Sequence, residues 1–342
     1  IYQFKNKEIY FSILKSGDFR DDSGLYLNIN GFKILLSVDS NYLNSLILPN
    51  DIDLLATSFA SGASGFPLCF QNYNDSEKSK IILRNKRAAL SAVLKLVEAV
   101  NPKYYLPYAG FFSEKLLRDN GIKERNFKNS PDDVIQIVTM NRNIIGINPM
   151  NNDKMEFDLK NKSLKLSNLK KILLYDYSQN HFTDYLSQFK KSYIIDEKTI
   201  SEYFLKSNYQ DDLLLFLVTT NDDFIPNNHG YLIDFSDKIQ FKKFEISKLE
   251  IQYNESSDFS KIFIYVREEV LGQLIINKQP WEDASIGFQM RIKRFPNVYN
   301  SKFWYHFTNQ YIGSENYRFS SDCGACTFVN QNKIYITNTT FK

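Results

Sequence analysis

Cysteine and histidine are scarce in this sequence, which contains three of each among 342 residues. Three cysteines in a chain of this length do not form a disulfide framework, so a reducing cytosol is the expected compartment. Cys323 and Cys326 form a lone CxxC pair. A structural zinc site needs a second such pair, so we interpret these residues as incidental thiols, with a redox pair as the alternative. His181, His229 and His306 lack HxH or HxxxH spacing, so we expect surface or satisfied core histidines rather than metal ligands.

Long apolar runs and runs of like charge are also missing. The longest apolar runs, such as residues 213–218, are far shorter than the roughly 20 residues that span a bilayer. The formal net charge is +3 with the charges interspersed, and the basic stretch at 84–87 is too brief for a nucleic-acid tail. No signal-peptide pattern is recognisable. We therefore expect a cytoplasmic protein that binds neither membranes nor nucleic acids.

The first 110 residues carry the pattern of one half of a layered α/β domain. The pair Asn30-Gly31 between two apolar runs predicts a hairpin turn. Asn74, followed three residues later by Glu77, predicts a variant capping box at the start of a long helix, which should end before Asn101-Pro102. Strands are predicted at residues 9–14, 25–29, 32–38, 53–59 and 104–106.

Beyond about Pro131 the pattern changes to that of a second, α+β domain of about 200 residues, within the usual domain size range. Residues 213–219 and 231–235 predict strands. Residues 259–275 and 286–307 predict helix-rich segments, separated by a break at residues 278–280.

Asp39 is the sharpest candidate for chemistry because it follows an apolar strand and precedes Ser40-Asn41. A carboxylate at a strand end projects where α/β sites usually lie, and it can ligate a hard or borderline metal. The alternative is an aspartate that caps a turn, which is common at strand ends.

A loop of small residues follows the strand at 53–59, and it could let backbone N–H groups approach an anionic group. It lacks the Lys-Ser/Thr pair of a P-loop, which excludes a nucleoside-triphosphate site of that kind. The alternative is a tight connection that needs positive φ at its glycines. The candidate binding residues are Ser61, Gly62, Ala63, Ser64 and Gly65.

Five strings of this sequence occur in the same order in a known family. They are GFKIL at 31–35 running into Val38-Asp39, SFASGASGFP at 58–67, YLPYAGFF at 105–112, IGFQMR at 286–291 and FWYHF at 303–307. On these strings the chain resembles the CMP-N-acetylneuraminate hydroxylases of vertebrates and their bacterial relatives. The resemblance extends over nearly the whole chain.

The resemblance implies an α/β fold in which residues 1–140 form the C-terminal part of a metallo-β-lactamase-like αββα sandwich and residues 141–342 an α+β extension. It implies hydroxylation of an N-acyl sugar nucleotide, or another small-molecule substrate, with O₂ and electrons from a Rieske [2Fe–2S] centre or an electron-donor protein. Asp39 would take the position of the metal-ligating aspartate for a divalent metal or iron. The loop at 61–65 would border the mouth of the active site.

The sequence departs from the family at three places. The HxHxDH segment and the Rieske motif are missing, and residues 107–112 contain no histidine. Because the chain also starts with Ile1 and passes directly into a strand, we expect a fragment of a longer oxygenase, with a [2Fe–2S] cluster only if a Rieske module precedes it. The alternatives are a metal-dependent hydrolase on the same fold and a non-catalytic binding subunit that has lost the metal site.

Overall fold

The computed structural model describes residues 2–4, 7–17, 23–38, 40, 42–60, 65–110, 116–148, 153–168, 179–249 and 259–309. Within them, a seven-stranded sheet lies in the first part of the chain, with its strands in sequence order. Neighbouring strands are antiparallel from β1 to β4 and parallel from β4 to β7. The strands are β1 (Tyr2–Phe4), β2 (Lys7–Lys15), β3 (Ser23–Ile29), β4 (Phe32–Val38), β5 (Leu54–Ser58), β6 (Tyr104–Ala109) and β7 (Ile145–Gly146).

Both faces of this sheet are covered, which explains the continuous apolar runs in its central strands. One face packs against α1 (Asp75–Val100) and α3 (Pro131–Thr139) through residues such as Leu96 and Val138. The other face packs against the hairpin β8 (Asp153–Asp158) and β9 (Ser163–Asn168), which contributes Met155 and Leu164. The short helix α2 (Asn120–Lys123) lies between α1 and α3 in the sequence.

The predicted capping box at the start of α1 is confirmed. The Asn74 side chain accepts a hydrogen bond from Glu77 N at 3.0 Å, and the Glu77 carboxylate accepts one from Asn74 N at 2.8 Å. The helix ends at Val100, before Asn101, which adopts a left-handed conformation. The predicted strands of this region are also present, and Asn30 and Gly31 form the turn between β3 and β4.

A five-stranded sheet forms in the second part of the chain, in the order β12-β11-β10-β13-β14. Only β10 and β13 pair in parallel within this sheet. Its strands are β10 (Leu213–Thr220), β11 (Pro226–Asp234), β12 (Gln240–Glu245), β13 (Ser260–Arg267) and β14 (Met290–Phe295). The accompanying helices are α4 (Gln179–Ser192), α5 (Glu197–Leu205), α6 (Glu268–Ile276), α7 (Trp281–Ile286) and α8 (Ser301–Asn309).

The prediction that residues 259–275 and 286–307 are helix-rich is wrong for the strands β13 and β14. The central strand β13 is buried on both faces, and a continuous apolar run of this kind cannot be distinguished from a buried helix by periodicity. The edge strand β14 alternates between buried and half-buried positions. The helices α6, α7 and α8 account for the helical remainder.

The first part of the chain contributes side chains to the core of the second sheet. Leu68, Cys69, Phe70 and Ile82, all from the first part of the chain, belong to the hydrophobic core of the second sheet. The described chain is therefore a mixed α/β protein, while the boundary at residues 140 and 141 stays a prediction. None of the helices in the described ranges has an apolar stretch long enough to cross a membrane.

Candidate functional site

Most of the residues predicted to carry chemistry lie outside the described part of the chain. They are Asp39, Ser61, Gly62, Ala63 and Ser64. Gly65, the last residue of the predicted binding loop, is described, and its contacts show where this segment ends.

Gly65 lies against helix α7, so close that no side chain fits. A Cβ at this position would lie 2.3 Å from Ser285 O and 2.7 Å from Cys69 Sγ. Such distances are far below van der Waals contact, so glycine is required here by close approach rather than by an unusual φ. The predicted binding loop therefore ends in contact with the second half of the molecule.

The chain after Gly65 then docks on the free edge of the second sheet. Gln71 N donates a hydrogen bond to Ile292 O at 2.7 Å, and Ile292 N donates one to Cys69 O at 2.8 Å. Phe70 forms a parallel bridge with Ile292 between these two bonds. Edge strands commonly recruit an extended segment in this way, and here the contact fixes the position of the Phe70 ring.

A cavity of about 380 Å³ lies where this segment meets α7, β14 and α8. This volume is in the range of ligand pockets, which is about 300–1,000 Å³. Half of the lining residues are aromatic, and the set also carries one guanidinium, one carboxylate and the hydroxyls of Ser285 and Tyr299. The lining residues are Phe66, Phe70, Glu282, Ser285, Ile286, Arg294, Tyr299 and Trp304.

Arg294 supplies the cation of this cavity and is firmly held. Its backbone N donates to Asn72 Oδ1 at 3.0 Å, and its carbonyl accepts from Asn72 Nδ2 at 2.8 Å. The Nε atom donates to Asn297 Oδ1 at 3.0 Å, and the guanidinium carbon lies 4.7 Å from the centre of the Phe70 ring. Arg294 is only 7% exposed. Among the described residues, no carboxylate forms a salt bridge with it within 4.0 Å.

A second group of buried charges lies at the carboxyl ends of the parallel strands β10 and β13. The Arg118 guanidinium contacts Asp222 Oδ1 at 2.7 Å and also bonds the carboxylate of Glu269. Its other terminal nitrogen donates to Gln289 Oε1 at 3.2 Å. Asp222 accepts a further bond from Lys190 Nζ at 2.6 Å.

Arg267, at the end of β13, extends this group. Its Nη1 atom donates to Asp119 Oδ1 at 2.8 Å and to Gln289 Oε1 at 2.7 Å, and Nε and Nη2 both donate to the carbonyl of Asp222. Burial and the neighbouring Arg118 lower the pKa of the Arg267 guanidinium. A cavity of about 460 Å³ adjoins the group. Because Asp119, Asp222 and Glu269 all have cationic partners, we interpret these charges as a structural network.

The histidines behave as predicted. His181 and His229 are exposed, and His306 is buried with its Nε2 atom 2.9 Å from Ser207 O. Burial lowers the pKa of His306, which favours the neutral imidazole. Cys323 and Cys326 lie outside the described residues.

Cys69 lies within the described residues, and its thiol is buried. Burial raises its pKa to about 11, against the opposing effect of the nearby Arg291, so the thiol is protonated at neutral pH. Within the described ranges, no group of three or more His, Cys, Asp or Glu side chains is arranged to hold a metal ion.

Sequence reasoning missed Arg294 because the surrounding segment was predicted to be helix-rich. In the strand β14, Arg294 shares a face with the buried Met290 and Ile292. A strand register would have placed a guanidinium on an apolar face, and a buried, unpaired cation is a signal of a binding site.

Fold and site together define a mixed α/β protein with an aromatic, arginine-containing cavity where the segment after Gly65 docks on the second sheet. Its sequence is 31% identical over 331 residues to the cytidine monophosphate-N-acetylneuraminic acid hydroxylase of Danio rerio, covering 91% of this chain and 53% of the relative. The hydroxylase of Pan troglodytes is 30% identical over 324 residues, covering 90% of this chain and 53% of that protein. The inactive homologue of Homo sapiens is 29% identical over 321 residues, covering 90% of this chain and 62% of that protein.

The resemblance to CMP-N-acetylneuraminate hydroxylases, predicted from five short strings, is therefore confirmed over 90% of the chain. The chain spans about half the length of the curated relatives it matches. No family model and no solved structure matches it.

Proposed function

We propose that this chain is part of an oxygenase that hydroxylates an N-acyl sugar nucleotide. The observation that carries the proposal is the similarity to cytidine monophosphate-N-acetylneuraminic acid hydroxylases across 90% of the chain. In the reaction, one atom of O₂ enters a C–H bond of the acyl methyl group. The other atom leaves as water, after two electrons from a Rieske centre or a donor protein and two protons have been taken up.

The proposal places the reaction at the carboxyl edge of the first sheet, within a metallo-β-lactamase-like sandwich formed by residues 1–140 and extended by residues 141–342. The parallel strands β4, β5 and β6 end at Val38, Ser58 and Ala109, and parallel strands present their carboxyl ends at one edge. Phe59 N donates to Ala109 O at 3.1 Å, which holds two of these ends together. This supports a common location for Asp39 and the loop at 61–65.

Asp39 is proposed as a ligand of iron or another divalent metal, and Ser61, Gly62, Ala63, Ser64 and Gly65 as residues that border the substrate. The described residues alone do not fit a metal centre, because they contain no group of three potential ligands. No reaction step is therefore assigned to a metal.

The test is the reaction of the protein, expressed from its complete gene, with CMP-N-acetylneuraminic acid, a reductant and ¹⁸O₂. We expect mass spectrometry to find one ¹⁸O atom added to an intact sugar nucleotide. Release of free CMP without oxygen incorporation would identify a hydrolase, and an unchanged substrate that still binds would identify a binding subunit. Either result would contradict the oxygenase proposal.

Asp39→Asn provides the matched test of the proposed metal ligand. We expect at least a tenfold loss of hydroxylation, since changing even a residue that only hydrogen-bonds a metal ligand typically costs about 10–100-fold in metal affinity or activity. Asp51→Asn is the control, because Asp51 is exposed and its left-handed φ of 57° suits asparagine. Equal activity of the two variants would contradict the proposal that Asp39 is a metal ligand.

A further inference from the structure

We propose that the aromatic cavity lined by Phe70, Arg294 and Trp304 binds the nucleoside phosphate part of the substrate, with Arg294 as the ligand of the phosphate. This inference rests on the proposed function and specifies where its nucleotide is held.

The charge of Arg294 is the first argument. The side chain is held at Nε by Asn297 and against the ring of Phe70, while its two terminal nitrogens have no hydrogen-bond partner in the described part of the chain. Burying a charge without an opposite charge is costly. A guanidinium fork matches phosphate oxygens in pairs, so a bound phosphate satisfies both free nitrogens at once.

The aromatic wall is the second argument. Phe66 and Phe70 contact edge to face with their ring centres 5.3 Å apart, and Tyr299 and Trp304 line the same cavity. Nucleobases bind proteins by stacking on aromatic side chains and on arginine, independently of the base sequence. Phe70 thus contributes to both parts of the proposed site, through its ring and through its contact with Arg294.

The polar groups of the wall are the third argument. The Ser285 hydroxyl and the Trp304 indole N–H have no hydrogen-bond partner among the residues that the structure describes, although Trp304 is only 3% exposed. Glu282 accepts a bond from the Tyr299 hydroxyl at 3.2 Å and keeps its other carboxylate oxygen available. Hydroxyl and amino groups of a nucleoside match these acceptors and donors.

The position of the cavity connects it with the proposed reaction. Ser285 lines the cavity and is also the residue against which Gly65 packs. A ligand held by its phosphate at Arg294 therefore lies next to the end of the loop at 61–65.

The experiment is calorimetric titration of the full chain with CMP, cytidine and inorganic phosphate. We expect CMP to bind the wild-type chain, and Arg294→Gln to weaken CMP at least tenfold, about 1.4 kcal/mol. Cytidine binding should change less than twofold in that variant. Lys293→Gln is the matched control, because it removes the same charge from the neighbouring position of β14, whose side chain points to the other face of the sheet. The affinity of this variant for CMP should stay within twofold of wild type.

Trp304→Phe gives a second variant that keeps an aromatic ring but removes the indole N–H and part of the ring surface. It should weaken the binding of CMP and of cytidine severalfold while the far-ultraviolet circular dichroism of the folded chain is kept, so the proposal stays testable if Arg294→Gln does not fold. The proposal is overturned if CMP does not bind the wild-type chain, if Arg294→Gln binds CMP as tightly as wild type, or if phosphate binds as tightly as CMP.

Failure here is distinguishable from failure of the proposed function. If the complete protein incorporates ¹⁸O into the sugar nucleotide while Arg294→Gln leaves CMP binding unchanged, the nucleotide binds outside this cavity. The proposed oxygenase activity is then still supported. If CMP binds through Arg294 but no oxygen is incorporated, the cavity assignment stands and the reaction is wrong.

Discussion

Gly65 shows how one missing side chain decides whether two parts of the molecule can meet. Its Cα faces the backbone of α7, and the carbonyl of Ser285 occupies the space that a Cβ would need, at 2.3 Å. Backbone atoms cannot move aside as a flexible side chain can. The close contact in turn sets the distance between Gly65 and Ser285, which lines the cavity.

We predict that Gly65→Ala destabilises the protein by about 1–3 kcal/mol, the range for overpacking, and weakens ligand binding in the cavity. Urea unfolding followed by circular dichroism measures the stability. Gly121→Ala is the matched control, because a Cβ there meets nothing within 4 Å. The control should be neutral or stabilised by up to about 1 kcal/mol. Equal stability of the two variants would contradict the close packing of Gly65 against α7.

At the scale of elements, the parallel pair β10 and β13 determines where the buried charges gather. Both strands end at the same edge, and Asp222 and Glu269 follow these ends within two residues. The turn that contains Arg118 and Asp119 supplies the remaining partners. The network therefore joins the segment between α1 and α3 to the second sheet.

Arg267→Gln tests the strength of this connection. The change leaves Asp119, which is 4% exposed, without its cation, and removing one partner of a buried pair costs about 3–5 kcal/mol. Denaturant unfolding should show this loss. Lys206→Gln breaks an exposed pair with Glu202 and should cost no more than about 1 kcal/mol. A loss below 1 kcal/mol for Arg267→Gln would mean that water solvates the network.

At the scale of the whole molecule, helix α1 connects the two hydrophobic cores. Its first half contributes Ile82 to the core of the second sheet, and its second half contributes Val93, Leu96 and Val97 to the core of the first. A rigid helix with one end in each core couples their stabilities. We therefore expect the described parts of the chain to unfold together rather than one core after the other.

Leu96→Ala measures this coupling. The cavity left in the first core should cost about 2–5 kcal/mol. The two tryptophans, Trp281 and Trp304, both lie in the second core and report on it by fluorescence. If the two cores are coupled, the unfolding transition seen by tryptophan fluorescence shifts to a lower denaturant concentration. The shift then corresponds to the whole loss of unfolding free energy caused by the substitution. Leu83→Ala is the control, because this position of the same helix is 52% exposed. It should change the free energy of unfolding by no more than about 0.5 kcal/mol. An unshifted transition for Leu96→Ala would demonstrate two independent domains.

Local sequence signals determined much of the first sheet and of α1. The Asn-Gly turn, the capping box at Asn74 and Glu77, and the stop before Pro102 are set by interactions within a few residues, so their patterns are visible without any tertiary partner. The resemblance to the hydroxylases also came from the sequence alone, since short strings in a fixed order do not depend on coordinates. Asp39 and the loop at 61–64 remain predictions from the sequence.

Tertiary structure alone decided the rest. The apolar run of β13 fits a buried helix or a strand equally well, and only its pairing with β10 and β14 makes it a strand. Arg294 belongs to a cavity because a segment some 220 residues earlier, around Phe70 and Asn72, docks beside it. Such contacts join residues far apart in the chain, and no local pattern specifies them. The chemistry expected at the loop was thus a property of the sequence, whereas the cavity next to it is a property of the fold.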